Sequence, residues 1–304
     1  RVWAAPAVLC NFAILGWLLG VQHTRAVLWL QLWMNGINMA LDVFFVLKLR
    51  WGVGGAGLAT AIAEGSAFIL GMWMVHSILK KFQSPSLDRT HIWSPAQFKR
   101  LIAINRDLFI RTLFLISAFA LLTIKGAQLG TTVLAANAVL LNFQLFTSFG
   151  LDGFAHAVEA LVGKAIGIRD DIMYRDAVRI STQWAALVAL FFAIIYAMGG
   201  RMLINILAAE PQVRSIAVHY LPWLVVLPLL SVWSYQFDGI FSGSTRSREM
   251  RNSMFASFAV YAMLIFVLVP LFGNHGLWGA FLVFMLLRAV TLGLSGWGYR
   301  PSLS

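Results

Sequence analysis

The stretch AALVALFFAIIYAM, residues 185–198, contains no charge, no proline and no glycine, and its apolar and polar side chains do not alternate. A membrane-spanning β-strand covers about ten residues and alternates lipid-facing apolar with lumen-facing polar positions. This run therefore excludes a β-barrel and reads as helix. A hydrocarbon core about 30 Å thick needs about 20 apolar residues per spanning helix. Outward from 185–198, such runs recur at approximately 3–22, 28–47, 55–78, 108–128, 132–163, 181–200, 215–242, 253–272 and 276–297. The sequence predicts an all-α polytopic membrane protein with nine spans. Composition agrees: 60% of the 304 residues are apolar and 12% charged, with a mean hydropathy of +0.79, whereas soluble domains carry about 25% charged residues.

A net charge of +11 raises the question of nucleic acid, which the placement of the charges answers. With the runs laid out as alternating spans, fifteen Lys and Arg fall near one face, among them Lys80, Lys81, Arg169, Arg175, Arg246 and Arg251; six fall near the other. That bias follows the positive-inside rule and puts the first face and the C-terminus in the cytoplasm. The basic residues are then a topology signal, and no nucleic-acid partner is expected. The remaining two, Arg111 and Arg288, lie within spans. The one cysteine, Cys10, sits in an apolar run, which leaves disulfides and thiolate metal sites no part. No signature of an intramembrane enzyme is present, and no metal or other cofactor is expected. Arg1 leads straight into a span without a Met or a charged leader, which reads as a chain whose start lies upstream.

The one long polar connection, residues 80–106, divides three spans from six and reads as a cytoplasmic linker. Within it Ser94 and Pro95 open a basic amphipathic stretch to Leu101, a helix start expected to lie on the membrane surface. The chain also reads as containing a repeat. GVQHTR from Gly20 and GSTRSR from Gly243 each end a span; each is followed by another span and then by a glycine-bearing turn, at Gly55 and Gly276 respectively. On that reading residues 1–79 are the second half of a lobe whose complete counterpart is residues 107–298, residues 299–304 are a tail, and three helices precede Arg1.

The segment LAANAVLLNF at 134–143, with LVGKAIG at 161–167, resembles the eighth helix of the multidrug and toxic compound extrusion (MATE) transporters. LGWLLGVQ at 15–22, ATAIAE at 59–64, NRD at 105–107, LDGFA at 151–155, DGIF at 238–241 and EMRNS at 249–253 are similar to the DinF branch of that family. The resemblance covers essentially the whole chain. It implies two six-helix lobes around a cavity that opens alternately to either side, here represented by the fourth to twelfth helices. The family's first-helix acid would lie outside this chain. It also implies a multi-pass protein of the bacterial inner membrane, a monomer that exchanges a small organic substrate for H⁺ or Na⁺.

Ionisable side chains deep in a span cost at least about 2.5–3.5 kcal/mol each on insertion scales, so each calls for a partner, water or a function. Six acids qualify: Asp42, Glu64, Asp107, Asp152, Glu159 and Asp238. Asn38 and Asp42, four residues apart, share a helix face and can hold a common proton, ion or water. The resemblance assigns them to the family's cation-coupling network, with Asn11 a looser match; the alternative, that they tie neighbouring helices together, stays open. Asp152, His156 and Glu159 form one polar stripe on an apolar helix, expected to face protein or a cavity, with Arg111, Arg288 or Tyr235 in reach of Asp152 or Glu159. Asp238, one turn after Tyr235, is expected at the same cavity. A purely structural ion-pair network is the alternative here. Six mid-span acids against two arginines favour cationic or amphipathic substrates over the lipid pyrophosphates of a lipid-linked oligosaccharide flippase. A truncated, non-transporting membrane protein is a further alternative.

Overall fold

The computed structural model describes residues 4–81 and 94–296; most of the linker, at 82–93, and the tail lie outside the described residues. Among the described residues the chain forms nine α-helices and no strand. They are α1 (Ala5–Gly20), α2 (Thr24–Asp42), α3 (Gly52–Lys81), α4 (Pro95–Gln128), α5 (Thr131–Ile168), α6 (Asp171–Leu207), α7 (Pro211–Gly243), α8 (Ser247–Phe272) and α9 (Asn274–Gly296). After α2 the backbone continues as a π-helix, Val43–Lys48. Among the described residues eight helices, α2 counted together with its π-helical continuation, are long and apolar enough to cross a membrane, and α1 is a shorter apolar helix of 16 residues.

Two helices start ten or more residues before their apolar runs. The basic stretch from Ser94 continues as the first turns of α4 without a break, and α6 starts at Asp171, ten residues before its apolar run. An apolar run marks only what lies in hydrocarbon, while backbone hydrogen bonding carries a helix on into water. Asp170 starts α6 by accepting the Met173 N–H at 2.8 Å, the N-cap contact that orphan N–H groups require.

The helices form two compact units, residues 1–94 and 95–304. In the first, α1 and α2 both pack on α3. The buried face of α3 is Gly55, Ala59, Ala63, Ala67 and Gly71, a small residue every fourth position. Helices in lipid associate by close packing, which small residues permit: a Cβ on Gly71 would lie 3.1 Å from Ile14 and 3.3 Å from Leu30. In the second unit α5 packs against α6 and α7, α9 against α7 and α8, and α4 against α8. Its aromatic core includes Tyr261, Trp278, Phe281 and Phe284. Asn137 on α5 exchanges two amide hydrogen bonds with Asn274 on α9, at 2.8 and 2.9 Å, and accepts a third from Trp278. Many large apolar side chains, such as Trp29, Met198 and Phe266, point outward, the surface a bilayer covers.

The two turns paired by the repeat close in the same way. Gln22 (φ 60°) and Thr245 (φ 55°) occupy the left-handed position. Bonds run from Val21 N to Trp17 O, Gln22 N to Leu19 O and His23 N to Leu18 O. Ser244, Thr245 and Arg246 repeat them residue for residue to Ile240, Ser242 and Phe241. This is the Schellman end, a common helix stop, and a similar one closes α5 at Arg169.

Candidate functional site

In the second unit a cavity of about 600 Å³ opens between α4, α5, α7, α8 and α9. Two glycines of α7 set its geometry. A Cβ on Gly239 would collide with the Ala155 carbonyl of α5, and one on Gly243 with the Glu159 carbonyl, so the two backbones run in direct contact. Asp238 and Ser242, each one residue before a glycine, thereby enter the cavity beside the α5 stripe. Ser242 Oγ donates to Glu159 Oε1 at 2.7 Å.

Asp152, His156 and Glu159 all line this cavity, as do Arg111, Tyr235, Asp238 and Arg288. The pairing differs from the sequence expectation. Arg288 Nη2 donates to Asp238 Oδ2 at 2.6 Å, and Arg111 Nη2 donates to the same oxygen. Neither arginine bonds Asp152 or Glu159, because Asp238, brought in on α7, reaches both guanidinium groups first. Tyr235 is likewise taken by α5, through Ser148 at 2.5 Å and Gln144 at 3.3 Å. Arg288 keeps 3% and Asp238 13% of its side-chain surface, so this is a buried ion cluster with one net positive charge. Arg288 also lies 5.9 Å from the Tyr235 ring and 5.8 Å from that of Phe284. The Nε atoms of both arginines are buried without a hydrogen-bond partner.

On the α5 side the carboxylates are less committed. Glu159 holds Ser242 and, at 3.4 Å, His156 Nδ1. Asp152 makes no hydrogen bond or ion pair with any described residue. His156 is 61% and Glu159 40% exposed, which places them at the cavity's open side. Leu108, Leu115, Phe119, Leu145, Met250 and Met285 supply an apolar wall. The sequence reading missed Gln144, Ser148 and Ser242. The first two were within reach of it, because Gln144, Ser148, Asp152 and His156 follow at intervals of four on one helix face.

In the first unit Asn38 and Asp42 are joined as their spacing suggests. With the Asn38 amide turned so that its nitrogen faces the acceptor, it donates to Asp42 Oδ2 at 3.2 Å, and its oxygen lies 3.3 Å from Thr60 N. Asp42 Oδ1 is buried without a partner. The π-helix begins at the next residue; such local rewindings recur at functional positions. Asn11 is not bonded to Asn38 or Asp42. Its amide nitrogen donates to the backbone oxygen of Glu64 at 3.0 Å and to Glu64 Oε2 at 2.8 Å. Thr60 and Glu64, one turn apart on α3, bring the two pairs to one helix. Asp107, the sixth acid, is 1% exposed and bonded by Arg251 at 2.7 Å and Arg106 at 3.2 Å, a tie between α4 and α8. Among the described residues no group of three or more His, Cys, Asp or Glu is placed to hold a metal ion.

The family model of MatE matches residues 108–271. DNA damage-inducible protein F of Escherichia coli (strain K12) is 43% identical over 293 residues, 96% of this chain and 63% of that protein. Protein DETOXIFICATION 43 of Arabidopsis thaliana is 24% identical over 294 residues, 96% of this chain and 54% of that protein. Among solved structures, one described as the outward-facing conformation of a multidrug resistance MATE family transporter of the MOP superfamily superposes with a TM-score of 0.85. It is 16% identical, with 94% of this chain and 64% of that one covered, a likeness that shows the fold. The chain thus spans between 54% and 63% of the length of these two curated relatives.

Proposed function

The chain belongs to the MatE family, and on that premise we propose that it is the greater part of a secondary antiporter that exports organic cations or amphiphiles in exchange for H⁺ or Na⁺. The observation that carries the reading is the division of charge in the cavity. Both arginines are occupied by Asp238, while Asp152 is unengaged and faces the same space as an apolar wall containing two methionines. A lipophilic cation meets there a carboxylate for its charge and adaptable surface for its body. Pyrophosphate, the group a flippase of lipid-linked oligosaccharides would hold, meets two guanidinium groups already taken. Asn38 and Asp42 are the coupling pair of this reading, since the buried, unpartnered Asp42 Oδ1 is an oxygen that a proton or Na⁺ would satisfy. The setting is a bacterial inner membrane, with the C-terminus in the cytoplasm and the transporter a monomer.

The test is extrusion of a fluorescent lipophilic cation by the fully expressed protein in vesicles, under an imposed H⁺ or Na⁺ gradient. Gradient-driven extrusion that Asp42→Asn abolishes at equal membrane abundance is the expected result. Extrusion that ignores both gradients, or that survives Asp42→Asn unchanged, overturns the reading.

A further inference from the structure

Glu64 is an acid within a spanning helix whose bonding is incomplete in a specific way. Both hydrogens of the Asn11 amide nitrogen are spent on it, one on the backbone oxygen and one on Oε2. Asn11 is 3% exposed, and its own Oδ1 is buried without a partner. A planar carboxamide whose N–H cis to the carbonyl donates to one oxygen of a carboxyl group can present its carbonyl oxygen to the other. With Glu64 charged, the pair offers Asn11 Oδ1 no donor and leaves it orphaned, which buried polar atoms avoid. A single positive charge between Glu64 Oε1 and Asn11 Oδ1 removes that defect. A proton does so by closing the two-bond ring of a carboxylic acid and an amide; Na⁺ does so as an oxygen-ligated ion.

No basic side chain of α1, α2 or α3 is bonded to Glu64 among the described residues. The titratable group that α2 brings toward the same helix is Asp42, whose partner Asn38, with its amide turned, accepts from Thr60 N one turn before Glu64. Glu64 is half-buried and its Oε1 is not among the buried, unpartnered atoms, so that oxygen keeps accessible surface.

We infer that Glu64 and Asn11 form a second monovalent-cation station, loaded in addition to Asp42 during exchange. The inference rests on the antiport reading above and deepens it: two separately held charges move per cycle, and Glu64 carries one of them. Glu64→Gln is a natural probe, because an amide at this position can donate to Asn11 Oδ1 and accept from Asn11 Nδ2. It imitates the loaded station permanently.

The experiment measures substrate accumulation by the fully expressed protein in vesicles, as a function of the imposed H⁺ gradient in one arm and the imposed Na⁺ gradient in the other, at zero membrane potential. The slope of log accumulation against log gradient counts coupled cations. For Glu64→Gln the slope should fall by one relative to the parent, in the arm of the cation that Glu64 holds. An unchanged slope in both arms, with Asp42→Asn still abolishing exchange, overturns the inference and leaves the antiport reading intact. If the parent responds to neither gradient, the reading itself fails. Should Glu64→Gln not insert, Glu64→Asp keeps the charge and shortens its reach from Asn11. The driving cation should then be needed at a concentration at least severalfold higher, and an unaltered requirement overturns the inference.

Discussion

Arg288 Nη2 lies 2.6 Å from Asp238 Oδ2, and Arg111 donates to the same oxygen from α4; one carboxylate on α7 therefore anchors two other helices. Removing one partner of a buried ion pair leaves an uncompensated charge, at about 3–5 kcal/mol. Asp238→Asn leaves two guanidinium groups in that position. Thermal unfolding in detergent should show a loss of that order. Asp152→Asn, with no bond to break, should stay within about 0.5 kcal/mol of the parent. Equal losses in the two variants would mean that Asp238 is not the anchor.

The contact between α5 and α7 makes a sharper mutational contrast. Gly239→Ala drives a methyl group into the Ala155 carbonyl, and overpacking of this kind costs about 1–3 kcal/mol even where side chains can yield. A backbone cannot step aside as a side chain can, so the cost should lie at or above the upper end. Gly153, on α5 itself, has nothing within 4 Å of the added carbon. There Ala should stabilise by about 0.5–1 kcal/mol, the helix-interior difference between the two residues. Melting temperatures of the two variants, moving in opposite directions, are the measurement.

Asn137 supports α9 through Asn274 and Trp278, all three buried. Asn137→Ala leaves an amide and an indole N–H unsatisfied, each at about 1–3 kcal/mol. Thermal unfolding in detergent should show a loss of that order. A variant that melts with the parent would place water at those groups instead.

How much of this was legible beforehand depended on distance along the chain. The stripe of Asp152, His156 and Glu159 lies within two turns of one helix, so helical periodicity alone put the three on one face. The same arithmetic, carried back two more turns, reaches Ser148 and Gln144. The pairing of the arginines had no such signal. Arg111 and Asp238 are 127 residues apart, Arg288 and Asp238 50 apart, and which of three acids they meet is decided by how closely α7 approaches α5. Gly239 and Gly243 permit that approach, and a glycine in a membrane helix does not say which neighbour it admits. Helix ends were blurred for a different reason: the start at Pro95 was marked by Ser-Pro, but its continuity with the following span was not, and at Asp171 the helix continues beyond the apolar run, where hydropathy no longer marks it.

The last prediction concerns the choice of substrate. Two unit charges 4 Å apart attract by about 4 kcal/mol at an effective dielectric constant of 20, and part of that is offset by stripping water from the guest. Asp152 is the carboxylate most available for this, since its side chain has no hydrogen bond or ion pair with a described residue. Glu159 already accepts from Ser242 at 2.7 Å and faces His156 at 3.4 Å, and whenever that ring is charged its negative charge is largely cancelled. The two variants should therefore differ. Asp152→Asn should weaken binding of a lipophilic cation at least tenfold, about 1.4 kcal/mol, and leave a neutral analogue of the same shape within about twofold. Glu159→Gln, which retains an acceptor for Ser242, should weaken the cation less. Fluorescence titration of the fully expressed protein with a matched pair of cationic and neutral ligands measures both. If Asp152→Asn weakened the two ligands equally, the residue would be shaping the cavity and not selecting charge, and selection would pass to Glu159.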